Sequence, residues 1–209
     1  NAQGGTALRV TATSLGASVD ATATLSAQGN ASVLNLSALT IVQDGATATL
    51  AKPATITIGG GTTRIDGLVL NANGGSVAIA GTAGNALNLT VELHTLPLSL
   101  AAVAAPEFDA SGTVSGKLTI TGSAAAPGGQ YDLAVAKAST RALARAGLGP
   151  FDAKGRGTIA GNKVTNDGTI SAPSLQGSRV AGSIPRGHGE LDLTVKGEAG
   201  RNLVNTALA

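Results

Sequence analysis

The chain has 209 residues, 43% of them apolar and only 12% charged, with a formal net charge of +2. That apolar content excludes disorder from low hydrophobicity, and the scattered Lys and Arg, without interleaved aromatics, exclude a basic nucleic-acid surface. Cys, Met and Trp are absent and Tyr131, Phe108 and Phe151 are the only aromatics, so disulfides and thiolate metal sites are ruled out and Leu, Val, Ile and Ala must cover any core.

Taken in order, the N-terminal part alternates short apolar-polar runs with Gly-rich turn signals. Strands are expected around Leu8–Val10, Ser32–Ile41, Ala54–Ile58, Arg64–Leu70 and Ser76–Ala80. Gln28-Gly29-Asn30, Gln43-Asp44-Gly45, Gly59-Gly60-Gly61 and Asn73-Gly74-Gly75 supply the positive φ that tight hairpins need. A period of two places Ile56 and Ile58, then Val77 and Ile79, on one face of their strands.

The alternation is cleanest from residue 86 onward. Leu87, Leu89, Val91 and Leu93 share one phase, Val114, Leu118 and Ile120 another strand's phase, followed by Leu133 and Val135. Further strands are expected at Ala153–Ile159 and Arg179–Ile184, with Leu191, Leu193 and Val195 closing the series. Turn signals fall at Pro127-Gly128-Gly129, Asn166-Asp167-Gly168 and Gly187-His188-Gly189. Two segments break the pattern. Residues 97–105 read as a short helix begun by Pro97 and stopped by Pro106, with Leu96, Leu100 and Val103 on one face. Residues 139–146 read as a second, with Ser139 as N-cap and Gly147 beyond its end. Helices this short do not stand alone in water, so both are expected to dock on the sheet and to act as mobile gates.

Leu87-Asn88-Leu89-Thr90-Val91 recurs as Leu191-Asp192-Leu193-Thr194-Val195, 104 residues later. Such a period points to an elongated array. The expected organisation is strand repeats over 1–85 and a strand-helix-strand module over 86–209. No 18-residue apolar run is found that would span a bilayer as a helix, no signal peptide is expected within these residues, and the start at Asn1 reads as that of a piece cut from a longer chain.

Catalytic chemistry has little to stand on. The two histidines, His94 and His188, fall at a polar strand phase and in a Gly-rich turn, and Gly-x-Ser-x-Gly is absent. Ser111–Leu118 mimics a phosphate loop but lacks its first Gly and the magnesium-binding hydroxyl after Lys117. Acidic residues are too dispersed for calcium. No enzyme activity, cofactor or metal is expected. The sequons at Asn30, Asn35 and Asn88 are what chance yields in a chain rich in Asn, Ser and Thr.

The apolar phase itself remains: either a closed aliphatic core between sheets, or a groove whose floor holds hydrocarbon. An eight-residue strand is roughly 26 Å long and a dozen strands span roughly 60 Å.

Leu96-Pro97-Leu98-Ser99-Leu100-Ala101, then Ala110-Ser111-Gly112-Thr113-Val114-Ser115-Gly116-Lys117-Leu118-Thr119-Ile120-Thr121-Gly122 and Ala126-Pro127, resemble the TamB (translocation and assembly module) family of AsmA-like envelope proteins. The continuation through Arg141–Ala146 and Gly149-Pro150-Phe151-Asp152-Ala153 is similar too, so that the resemblance covers about 86–209. It implies an all-β, mostly antiparallel sheet curled into a U-shaped, apolar-lined groove, with two short helices. It implies a periplasmic location behind an inner-membrane anchor, transfer of phospholipid acyl chains between the membranes, and support of outer-membrane protein assembly with a TamA-like partner bound by other parts of the chain. The expected lining is Ile56, Ile58, Val77, Ile79, Leu87, Leu89, Val91, Leu93, Val114, Leu118, Ile120, Leu133, Val135, Leu191, Leu193 and Val195. The alternative is a structural β-solenoid stalk of an adhesin or autotransporter passenger, with a dry closed core. A carbohydrate-binding or hydrolysing β-domain would need surface aromatics that this chain lacks.

Overall fold

A computed structural model describes residues 5–14, 16–103, 109–161, 163–173, 175–185 and 192–199. The protein is all-β and antiparallel. Its strands are β1 (Thr6–Ser14), β2 (Ala17–Gln28), β3 (Ala31–Gln43), β4 (Ala46–Leu50), β5 (Ala54–Gly59), β6 (Thr62–Ala72), β7 (Gly75–Ala83), β8 (Ala86–Pro97), β9 (Ala110–Ser123), β10 (Pro127–Thr140), β11 (Phe151–Ala160), β12 (Lys163–Ala172), β13 (Leu175–Pro185) and β14 (Asp192–Ala199). Sheet order follows chain order, except that β5 leaves the path to pair with β3 and β6. Hairpins of this kind need only two-residue turns. Asp44-Gly45 and Asn73-Gly74 provide them, with φ of 49° and 82° and of 46° and 89°, the doubly positive pair that matches the twist of the flanking strands.

The chain forms two compact units. The first holds β1–β8 with the stretch Thr119–Pro127; the second holds the chain from Pro97 to Leu118 and from Gly128 onward.

In the first unit the register lines up apolar residues strand after strand. Leu25 lies opposite Leu34, Leu34 opposite Ile56, Ile56 opposite Ile65 and Ile65 opposite Gly81, which faces Leu89. A parallel row runs Leu8, Ala23, Leu36, Ala54. Two bulges keep these rows in phase. Residues 34–41, Leu-Asn-Leu-Ser-Ala-Leu-Thr-Ile, lose their alternation at Ser37-Ala38. The register shifts there, so Leu39 pairs Ala21 while Leu36 pairs Ala23, and the Ser37 hydroxyl donates to the Thr22 carbonyl at 3.0 Å. The second shift, at Asp66-Gly67 between Ile65 and Leu68, does the same for β6. One extra residue restores the face that a period of two would have lost.

Several expectations are corrected. Pro97 ends β8 instead of opening a helix, and the first helix is a 3₁₀ turn over Leu98–Val103; residues 104–108 lie outside the described residues. A proline costs a strand nothing at its end, where no ladder donor is needed. The second helix, α1 (Arg141–Arg145), is capped by Thr140, the last residue of β10, whose Oγ1 accepts from the Leu143 N–H, and not by Ser139 one residue earlier. It ends as expected at Gly147, φ 70°. There the Gly147 N–H reaches the Ala144 carbonyl and the Leu148 N–H the Leu143 carbonyl, the 5→2 and 6→1 pair of a Schellman ending. α1 buries no residue, and Arg141 is tied to Asp109 at 2.6 Å.

Asn166-Asp167-Gly168 is not a turn. It lies inside β12, where Asp167 faces Arg156 and Gly168 faces Gly155, because pairing on both sides outweighs the local turn preference. Strands β2, β4 and β12 were not expected from the sequence: their phases carry Ala, Thr and Gly more than large apolar residues. Pro127 opens β10 after a bend at 124–126. The turn residues Gly187, His188 and Gly189 lie outside the described residues.

Candidate functional site: an apolar sheet face

In each unit the register separates the two faces by chemistry. The apolar face of the first unit carries no charged residue along its paired rows. Arg9 and Asp20, bound at 3.0 Å, Arg64 bound to Asp66 at 3.0 Å, and Glu92 lie on the opposite phase or in a bulge. That wet face is a ladder of hydroxyls and amides, such as the Thr55 Oγ1 bond to Asn35 Oδ1 at 3.0 Å. The second unit repeats the division: Asp132, Arg156 and Asp167 form one cross-strand row and Lys154, Thr169, Arg179 and Lys196 the next, with Arg179 bidentate on Asp167 at 2.9 and 3.1 Å.

The structure places the expected lining residues as follows. Ile56 sits between Leu34 and Ile65, and Ile58 between Ser32 and Thr63 with 51% of its surface exposed. Val77 lies between Leu70 and Leu93, Ile79 between Leu68 and Val91, and Leu89 opposite Gly81; Leu87 precedes them on β8, partly covered. Val114, Leu118 and Ile120 alternate along β9 and are partly covered. On the same phase, Gly116 lies against the backbone of Leu133. Leu133 faces Gly155 and Val135 faces Ala153. Leu193 and Val195 are placed by register opposite Gly182 and Val180, and Leu191 lies outside the described residues.

The face also includes residues that the alternation did not single out: Leu36, Leu39 and Ile41 across the first bulge, Ile65, Leu68 and Leu70 across the second, and Ile170 and Val180 in the second unit. The signal that could have found them is the phase break itself, at Ser37 and at Asp66-Gly67.

This face is only partly covered. Among the described residues the buried apolar side chains are Ala23, Leu36, Ala54, Ala72 and Ala138, four of them alanines, with Val33 buried on the opposite phase, beside Ser26 and Thr57. No large apolar side chain there is fully removed from water, and Val10 and Leu25 expose 54% and 37%. A packed interior at ordinary protein density buries its Leu and Ile almost completely.

Tyr131, Asn166 and Ser178 are polar residues on the apolar phase of the second unit. The Tyr131 hydroxyl lies over Gly157, and its Oη is 2.8 Å from Asn166 Oδ1 and 3.0 Å from the Thr165 carbonyl. Partial burial raises its pKa above the usual 10.0. His94 is exposed opposite Ser76 on the wet face. No group of three His, Asp or Glu able to hold a metal occurs among the described residues. No helix among them is long and apolar enough to cross a membrane.

No family model, curated protein or solved structure matches the chain.

Proposed function

We propose that the protein carries acyl chains along its apolar sheet face. The observation that supports this is the partial cover of that face: rows such as Leu25, Leu34, Ile56, Ile65 and Leu89 cross the first unit without a charge, yet none of these side chains is fully removed from water. Apolar surface gains about 25 cal/mol for each Å² taken from water. An aliphatic, aromatic-poor floor therefore gains by accepting a flexible hydrocarbon along its length.

The resemblance to the TamB family extends this reading. The chain would belong to a periplasmic protein held by an inner-membrane anchor, would shield phospholipid tails in passage between the two membranes, and would support outer-membrane protein assembly together with a TamA-like partner bound elsewhere. No step requires catalysis; the work is desolvation and guidance.

The test is lipid extraction and native mass spectrometry of the purified chain. Bound phospholipid, displaced by a competing detergent, is the expected result. A lipid-free chain that also takes up none from phosphatidylethanolamine vesicles would overturn the reading in favour of a structural stalk.

A further inference from the structure

Across β10–β13 one apolar row reads Leu133, Gly155, Gly168, Val180. Two glycines thus stand directly opposite each other, and two adjacent strands present bare backbone where their neighbours present side chains. Between Leu133 and Val180 this leaves a notch of about 240 Å³. Val135 and Ile170 close one end and Tyr131 and Asn166 the other. For scale, an engineered apolar cavity of about 150 Å³ holds benzene.

The polar end is built. Asn166 occupies an apolar phase, where an unbonded amide is costly, and its Oδ1 is held by the Tyr131 hydroxyl at 2.8 Å. One Nδ2 hydrogen goes to the Val180 carbonyl at 3.3 Å. An amide nitrogen carries two hydrogens, so the bond to Val180 leaves one for a further acceptor.

We infer that this notch is a subsite for the carbonyl end of an acyl chain. The carbonyl oxygen accepts from Asn166 Nδ2, and the first methylenes cross the Gly155–Gly168 floor between Leu133 and Val180. The inference rests on the acyl-carrying function proposed above, and it adds a fixed polar register point to an otherwise uniform face.

The chain reports on this site by itself, because Tyr131 is its one tyrosine and it has no tryptophan. α-Bromodecanoic acid carries a heavy-atom quencher next to its carboxyl group, and the chain has no thiol for it to alkylate. Binding is counted by native mass spectrometry while tyrosine emission is followed. Saturation is expected to quench at least half of the emission. In Gly155→Ala the new methyl meets Asn166 Oδ1 at 2.9 Å, the movable end of a side chain. It enters the notch and should raise the concentration needed for quenching at least tenfold, with the circular dichroism of the sheet retained. Bound α-bromodecanoic acid with unquenched Tyr131 overturns the subsite and leaves the groove standing. No bound α-bromodecanoic acid, with no phospholipid bound either, overturns both.

Discussion

Leu89→Asp and Thr90→Asp place the same carboxylate one residue apart on opposite faces of β8. Leu89 faces Gly81, with Leu87 and Val91 on the same phase, whereas Thr90 faces Ala80 on the wet side. A leucine taken wholly from water contributes about 1.5–3 kcal/mol, and a partly covered one roughly 1–2 kcal/mol. An unpaired buried charge costs about 3–5 kcal/mol, which residual exposure reduces to roughly 1–3 kcal/mol. Leu89→Asp should therefore destabilise the first unit by about 2–5 kcal/mol. Thr90→Asp keeps its hydration and should stay within about 0.5 kcal/mol, Glu92 on the same phase adding only a screened repulsion. Urea unfolding followed by circular dichroism separates the two. With slopes of about 1–3 kcal/mol per molar, the first substitution should lower the midpoint by more than about 0.7 M and the second by less than about 0.5 M. Lipid retained by Thr90→Asp and lost by Leu89→Asp is the matching result in native mass spectrometry. Equal shifts for the two would mean that both faces are covered, and the one-faced account would fail.

Deleting Ser37 removes the bulge and throws either Leu34 and Leu36 or Leu39 and Ile41 onto the wet face; at about 1.5–3 kcal/mol for each fully covered side chain, the amides of β2 and β3 should lose hydrogen-exchange protection, whereas Ser37→Ala should cost only about 1 kcal/mol. Gly157→Ala drives a methyl into the Thr165 carbonyl and to 2.8 Å from the Tyr131 hydroxyl, so it should cost several times the roughly 1–2 kcal/mol of Gly29→Ala, where φ is 58° and nothing lies within 4 Å; comparable melting temperatures for the two would contradict the close approach. Burial raises the Tyr131 pKa above 10.0, so its contribution is fully present below pH 10.0 and is lost as pH rises through the higher folded-state value; an ultraviolet titration of the folded chain should find ionisation later than in urea, and coincident curves would refute it.

How much was legible in the sequence follows from which forces are local. Alternation at Leu87–Leu93 and Leu133–Val135 located strands and their faces because side-chain direction in a strand depends on position alone. Asp44-Gly45 and Asn73-Gly74 marked hairpins because a positive φ is a property of those residues. The end of α1 at Gly147 was readable for the same reason. Composition alone, with no Trp or Met, already implied an aliphatic surface. What required the tertiary structure was everything set by a partner strand. Asn166-Asp167-Gly168 carries turn chemistry, yet it lies in β12 because Arg156 and Gly155 on one side and Gly182 and Val180 on the other take up its register. Ser37 and Asp66-Gly67 look like breaks until their neighbours show that one extra residue returns the leucines to the common face. The notch beside Tyr131 exists only because Gly155 meets Gly168, two residues 13 apart that have no local reason to coincide. Pairing register is a sum over whole strands, and no single segment carries it.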